Sequence, residues 1–191
     1  MDSILYMQDK RLQDGIYLSY QDFRMNKSLR KEQIVSTLDK DQLEFLTKVV
    51  YKRQFSYKEN EETINVETET VWGYMQNNTF YINYEGEFRR VPVFGSISYF
   101  IATLTVQTPG FYDPRFGGAG GSTTRTIISE LIMNYYDGSI KEFNQKNAED
   151  LLEPDKTLYD EYKKLSKRKQ KEQMYTYIRK YNTAHPIYFL Q

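Results

Sequence analysis

Asn77-Asn78-Thr79-Phe80-Tyr81-Ile82-Asn83-Tyr84-Glu85-Gly86-Glu87-Phe88-Arg89-Arg90-Val91-Pro92-Val93 is the stretch that decides the fold. Each of its two β-prone runs follows a pair of turn residues, Asn77-Asn78 and Glu85-Gly86, of the kind that closes tight hairpins. Upstream, residues 63–75 are rich in Thr and Val and read as a strand entering the first turn. Downstream, residues 96–107 alternate, with Phe100, Ala102, Leu104 and Val106 on one face and Tyr99, Ile101, Thr103 and Thr105 on the other. Residues 126–136 repeat the period, with Ile127, Leu131, Met133 and Tyr135 sharing a face, and Asp137-Gly138 turns them into residues 139–143. The pattern predicts neighbouring antiparallel strands in a sheet with one well-buried face.

Working outward, residues 1–13 read as a poorly specified lead-in and residues 14–191 as a single domain. Asp14-Gly15 starts a β-prone run over 15–20, and residues 21–27 suit a short helical turn with Asp22 near its start. Residues 39–51 fit either a helix, through Leu43, Leu46 and Val50, or the start of a strand at Val49-Val50-Tyr51. A helical part is expected over 147–182. Asn147 caps a short helix ending at Leu152, and Pro154 opens a longer one over about 155–181. That longer helix has apolar stripes at Leu158, Tyr162, Leu165 and at Met174, Ile178, Tyr181, with no apolar residue between Leu165 and Met174. Its middle is therefore expected to project into solvent or to lay lysine stems over the domain. Ile187-Tyr188-Phe189-Leu190 reads as a docked apolar tail. The fold class is α+β: an antiparallel β-meander sheet with a long C-terminal helix packed on or beside it.

Composition narrows the chemistry. The 191 residues carry 26 Lys+Arg against 26 Asp+Glu, one His, no Cys, and 18 Tyr, 11 Phe and 1 Trp. A neutral chain is a poor general nucleic-acid binder, since phosphate neutralisation needs a basic excess. Without Cys there is no disulfide, thiolate metal site or Cys nucleophile, and a lone His185 allows no two-His metal site. No run of about 18 apolar residues is present, so no transmembrane helix is expected, and no signal-like n-region and h-region opens the chain. Neither a cofactor, a metal nor a catalytic constellation is expected.

The zero is nonetheless a sum of segregated parts. Glu59, Glu61, Glu62, Glu67 and Glu69 occupy a window free of Lys and Arg, whereas Lys163, Lys164, Lys167, Arg168, Lys169 and Lys171 occupy one free of acids. Each reads as a solvated face or, for the basic window, as a docking site for an acidic protein or anionic surface. The two windows are also suited to contact each other, within a chain or between chains. The Gly-rich loop 108–124 is expected to be flexible. It lacks the Lys and the following helix of a phosphate loop, but its Phe111, Tyr112 and Phe116 are candidate partner-binding residues. Trp72, Tyr81, Tyr84 and Arg89, on neighbouring strands, are a candidate ligand face for glycan or peptide. Glu67 and Glu69 would share a strand face, the only hint toward a carboxylate hydrolase.

Several strings together carry a resemblance: Asp14-Gly15-Ile16-Tyr17-Leu18-Ser19-Tyr20-Gln21-Asp22-Phe23, Phe80-Tyr81-Ile82-Asn83, Gly95-Ser96-Ile97-Ser98-Tyr99-Phe100, Leu158-Tyr159-Asp160-Glu161-Tyr162, Tyr177-Ile178-Arg179-Lys180-Tyr181-Asn182 and His185-Pro186. Their order resembles an uncharacterised group of small exported proteins from Bacteroidetes, over roughly residues 14–189. The resemblance implies an envelope or secreted location with an upstream signal removed, the alternative being the cytoplasm, and it implies no activity. The expectation is a non-enzymatic cell-envelope protein acting through protein–protein or surface contacts. A glycan- or peptide-binding module is the alternative, and a carboxylate hydrolase comes third.

Overall fold

The structure, a computed structural model, describes residues 8–9, 12–108 and 123–190. The Phe111, Tyr112 and Phe116 reading lies outside the described residues. The fold class is α+β. The two turns that decide the fold form as read. Strands β6 (Gly73–Gln76), β7 (Thr79–Tyr84) and β8 (Glu87–Arg90) make an antiparallel meander, with β2 (Gly15–Tyr17) added beside β6. Asn77 and Asn78 both take positive φ, as do Glu85 and Gly86, the backbone twist that two-residue hairpins need.

The rest of the sheet is subdivided rather than continuous. Residues 63–75 do not form one strand. They end β5 (Glu62–Glu67), turn through a 3-10 segment (Thr68–Thr70) and then begin β6. β5 pairs with β4 (Gln54–Glu59), whose Phe55 and Tyr57 alternate inward, and β4 pairs with β3 (Ile34–Val35). A third sheet contains β9 (Ile97–Thr108), β10 (Thr123–Asn134) and β11 (Ile140–Glu142), and an isolated bridge from Val93, in the connection after β8, to Tyr99 lies at its start. At the termini, β1 (Gln8–Asp9) pairs with β12 (Phe189–Leu190), which docks the apolar tail; Phe189 is fully buried.

Because of this subdivision the four-stranded sheet is buried on both faces. Met75, Phe80 and Ile82 face one core with Phe23, Phe100, Leu131 and Phe189, while Tyr74, Tyr81 and Phe88 face a second core with Ile34, Phe55 and Val71. Helix α1 (Tyr20–Arg24) is held by a capping box in which Ser19 and Asp22 satisfy each other's backbone N–H groups. The ambiguous stretch 39–51 resolves as helix α2 (Phe45–Val50), which buries Phe45, Leu46, Val49 and Val50 in the second core and leaves Leu43 in solvent.

The predicted long C-terminal helix is two helices. After α3 (Gln145–Leu152), capped by Asn144 rather than Asn147, α4 (Lys156–Lys163) is capped by Asp155 and α5 (Lys167–Ala184) by Ser166. The apolar gap after Leu165 exists because the chain reverses there. Tyr162 on α4 then meets Tyr177 on α5 with ring centroids 5.0 Å apart. Buried Gln170 fills the corner, donating to the Lys163 carbonyl (3.3 Å) and to the Tyr162 carbonyl (3.1 Å), which also accepts the Leu165 N–H. With Ile97, Tyr99 and Ile132 these helices enclose a third core.

Candidate functional site

The predicted ligand face does not converge. Alternation along β7 sends Tyr81 to the second core, where it stacks on Tyr74 at 4.6 Å, and Tyr84 to the opposite face, edge-on to Phe100 at 5.7 Å. Arg89 faces the same way as Tyr84, donates to the Thr103 carbonyl at 2.9 Å and pairs with Glu87. Trp72 lies against Tyr20 (5.3 Å) and Phe23 (6.3 Å), half-buried.

Trp72 and Arg89 instead line two adjoining hollows at the end of the sheet where β7 turns into β8. One, of about 490 Å³, is lined by Trp72, Tyr20, Leu18, Asn83, Glu69 and Glu85, among others; the second, of about 620 Å³, has Tyr51, Lys52, Arg53, Glu67, Glu87, Phe88 and Arg89 in its walls. Glu69 and Gly86 line both. The wall between them is built with polar groups that serve no apolar packing. Buried Thr68 donates its hydroxyl to the Lys52 carbonyl (2.5 Å) and its N–H to the Arg53 carbonyl (3.0 Å). The Asn83 amide donates to the carbonyls of Thr68, Glu69 and Val71 at 3.4, 3.0 and 2.8 Å. Glu67 therefore ends β5 and Glu69 lies within the pinned 3-10 turn, so the two do not share a strand face. Both stand in solvent, away from the apolar enclosure that a protonated catalytic carboxyl requires.

A further hollow of about 460 Å³, lined by Asp14, Arg30, Lys31, Lys40, Asp41 and Leu43 among others, has its cations engaged. Lys31 pairs with Asp41 at 2.9 Å, Lys40 donates to the Glu32 carbonyl at 2.9 Å, and Arg30 reaches Gln13 at 3.3 Å.

The basic window is divided by the helix break. Lys163 and Lys167 both pair with Glu149 (2.7 and 3.4 Å), and Arg168 pairs with Glu172 (2.9 Å). Lys164, Lys169 and Lys171 are exposed and hold no ion pair among the described residues. No ion pair joins this window to the acidic one among the described residues. His185 donates to or accepts from Asp155 at 2.8 Å and lies on the Tyr181 ring at 4.4 Å. The Ser96 hydroxyl meets the His185 backbone carbonyl and not the imidazole, so this trio fastens the chain and forms no relay.

Sequence reasoning identified the alternation of β9 and β10 but not their length beyond the body. Past Phe100, Ala102 and Leu131 the two strands continue as an arm on which Val106, Ile127 and Ile128 are exposed, Ile128 at 72%. Ile97–Thr108 carries no charge, and residues 123–129 carry only Arg125. Among the described residues, the outer edge of β10 is engaged only near its end, where Glu130 accepts from Phe143 N–H and Leu131–Met133 pair with β11. By alternation, the N–H and C=O groups of Thr124, Thr126 and Ile128 point away from β9, and no strand pairs with them among the described residues. No helix among the described residues is long and apolar enough to cross a membrane. No protein-family model, curated protein or solved structure matches this chain.

Proposed function

We propose that the protein works by contact and not by catalysis, as a non-enzymatic cell-envelope protein whose β9–β10 arm receives an extended strand of a partner protein. The observation that carries this reading is the outer edge at Thr124, Thr126 and Ile128, with which no strand pairs among the described residues, and the single charge, Arg125, that residues 97–108 and 123–129 bear together. Soluble chains ordinarily blunt such an edge with Lys, Pro or a bulge, and an edge left open is a template for strand addition. Backbone hydrogen bonds would provide affinity, and the exposed Ile127, Ile128 and Val106 would provide the apolar contacts. The envelope location rests on the resemblance of the sequence strings to small exported proteins.

The test is Thr126→Pro. The Thr126 N–H points outward, so proline removes one edge donor without breaking the β9–β10 ladder. The wild-type chain is expected to retain a stoichiometric partner from its native membrane fraction across several salt concentrations. The variant is expected to lose that partner while its melting temperature stays within a few degrees. Equal retention by both proteins, or no stoichiometric partner at any salt, overturns the reading.

A further inference from the structure

The hollow beside Trp72 has an unbalanced lining. Glu69 and Glu85 contribute two carboxylates, Trp72 and Tyr20 contribute two aromatic rings, and no Lys, Arg or His is present in its walls. Neither carboxylate holds an ion pair among the described residues, although both belong to segments fixed from behind. Asn83 pins the carbonyl of Glu69, and the Glu85-Gly86 turn is set by positive φ at both positions. The indole is held in place by Tyr20 and Phe23, and its N–H has no acceptor among the described residues.

We propose that this hollow recognises a cationic side chain, the guanidinium or ammonium of an arginine or lysine in a bound peptide. Four features favour a cationic peptide side chain over a sugar. A neutral ligand would draw water away from two carboxylates without supplying a counter-charge, which opposes binding. An organic cation instead pairs with Glu69 and Glu85 while resting on the indole face, the best of the aromatic platforms for positive charge. The adjoining hollow, reached past Glu69 and Gly86, is of mixed charge through Lys52, Arg53 and Glu67, which suits the backbone and flanking residues of a peptide. The exposed Glu59, Glu61 and Glu62 on the neighbouring hairpin add a negative field that raises the encounter rate of a basic segment.

Trp72 is the chain's only tryptophan, so its emission and its indole N–H resonance report on this hollow alone. The probes are the blocked tripeptides acetyl-Gly-Arg-Gly-amide and acetyl-Gly-Lys-Gly-amide, with acetyl-Gly-Gln-Gly-amide as the neutral counterpart. The cationic peptides are expected to give a saturable change in at least one of the two signals, weakened by added salt, and the Gln peptide none. Glu69→Gln combined with Glu85→Gln is expected to weaken binding at least tenfold. Both positions are exposed and the replacements are isosteric, so the variant keeps its fold, checked by an unchanged melting temperature. An equal response to the Gln peptide, no saturable response to either cationic peptide in both signals, or an affinity untouched by the double substitution each overturns the proposal. The arm is not involved, so Thr126→Pro binds the tripeptides normally.

Discussion

At the scale of single residues, Phe23 shows how a central role escapes a local reading. Its neighbourhood was legible as a short helical turn opened by Asp22, but nothing in that spacing marks Phe23 as more than one apolar residue on five residues of helix. In the fold it is fully buried and stacks on Phe80 at 5.1 Å. The ring of nearby Tyr17 and those of Trp72, Phe94, Tyr135 and Phe189, drawn from four distant segments, lie within 6.3 Å of it. Phe23→Ala is expected to cost about 3–5 kcal/mol, at the upper end for a core aromatic because rings fixed from several elements collapse poorly into the space. Urea unfolding followed by Trp72 emission measures it; a loss below about 1 kcal/mol would mean that the site relaxes. The candidate ligand face fails at the same scale for a reason the sequence did contain. Tyr81 and Tyr84 are three apart on one strand, and a period of two puts them on opposite faces. Trp72 and Arg89 line hollows and not a flat face, an arrangement that depends on the turn geometry at Glu85-Gly86.

Among the elements, the tight turns at Asn77-Asn78 and Glu85-Gly86 were the most legible feature, since each constrains backbone angles locally, whereas Asp137-Gly138 lies in a five-residue connection over 135–139 and not in a two-residue turn. Less legible was the break between α4 and α5. The gap in apolar residues after Leu165 was visible, but a gap is equally compatible with a solvent-crossing helix. What decides for reversal is a long-range interaction: the buried Gln170 side chain satisfies carbonyls at the end of α4 and also bonds Gln145 of α3. Gln170→Ala is expected to destabilise the fold by about 1–3 kcal/mol, the usual cost of losing the hydrogen bonds of a buried polar side chain, here those to the Tyr162 and Lys163 carbonyls and to Gln145. Amide exchange should show the loss first in α4 and the start of α5, and uniform loss over all strands would point to a different cause. A second helix contact explains motif residues that the resemblance highlighted. Asn182 accepts from the Ile97 N–H and donates to the Ile97 carbonyl, each at 2.8 Å, fixing the start of β9 to α5. Gly95 must be glycine there, because a Cβ would come within 2.6 Å of the Asn182 side chain. Those strings mark a joint between sheet and helix, which is a structural role and carries no chemistry of its own.

Over the whole molecule, the neutral total hides an uneven distribution of charge whose consequences concentrate in the helical end. Glu149 is bound by Lys163 and Lys167 and links α3 to both following helices. Glu161 on α4 accepts from Lys180 at 2.8 Å and from the Tyr177 hydroxyl at 3.0 Å on α5. Asp155 accepts the Leu158 N–H as helix cap and meets His185 beyond the end of α5. Each carboxyl is held below its ordinary value, first by Lys163 for Glu149, by Lys180 for Glu161 and by the Leu158 N–H for Asp155. A carboxyl lowered by folding contributes stability that is complete above its unfolded value and is lost as pH falls through the folded one. These unfolded values are 4.5 for the glutamates and 3.8 for the aspartate. The contribution of these three groups is therefore expected to be flat from pH 7 to about pH 5 and to fall steadily below that. Because all three tie helices together, amide protection in α3, α4 and α5 should decline before protection in β6, β7 and β8, whose cores contain no such pairs among the described residues. Glu149→Gln separates this mechanism from general acid denaturation. It is expected to cost about 1 kcal/mol or less at pH 7, since Lys167 and part of Lys163 reach it from solvent, and progressively less as pH falls below the ordinary glutamate value. Urea unfolding of both proteins between pH 3 and 7 checks it. Parallel curves would show that Glu149 has no part in the acid response, whereas convergence toward pH 3 identifies the helical clips as its source.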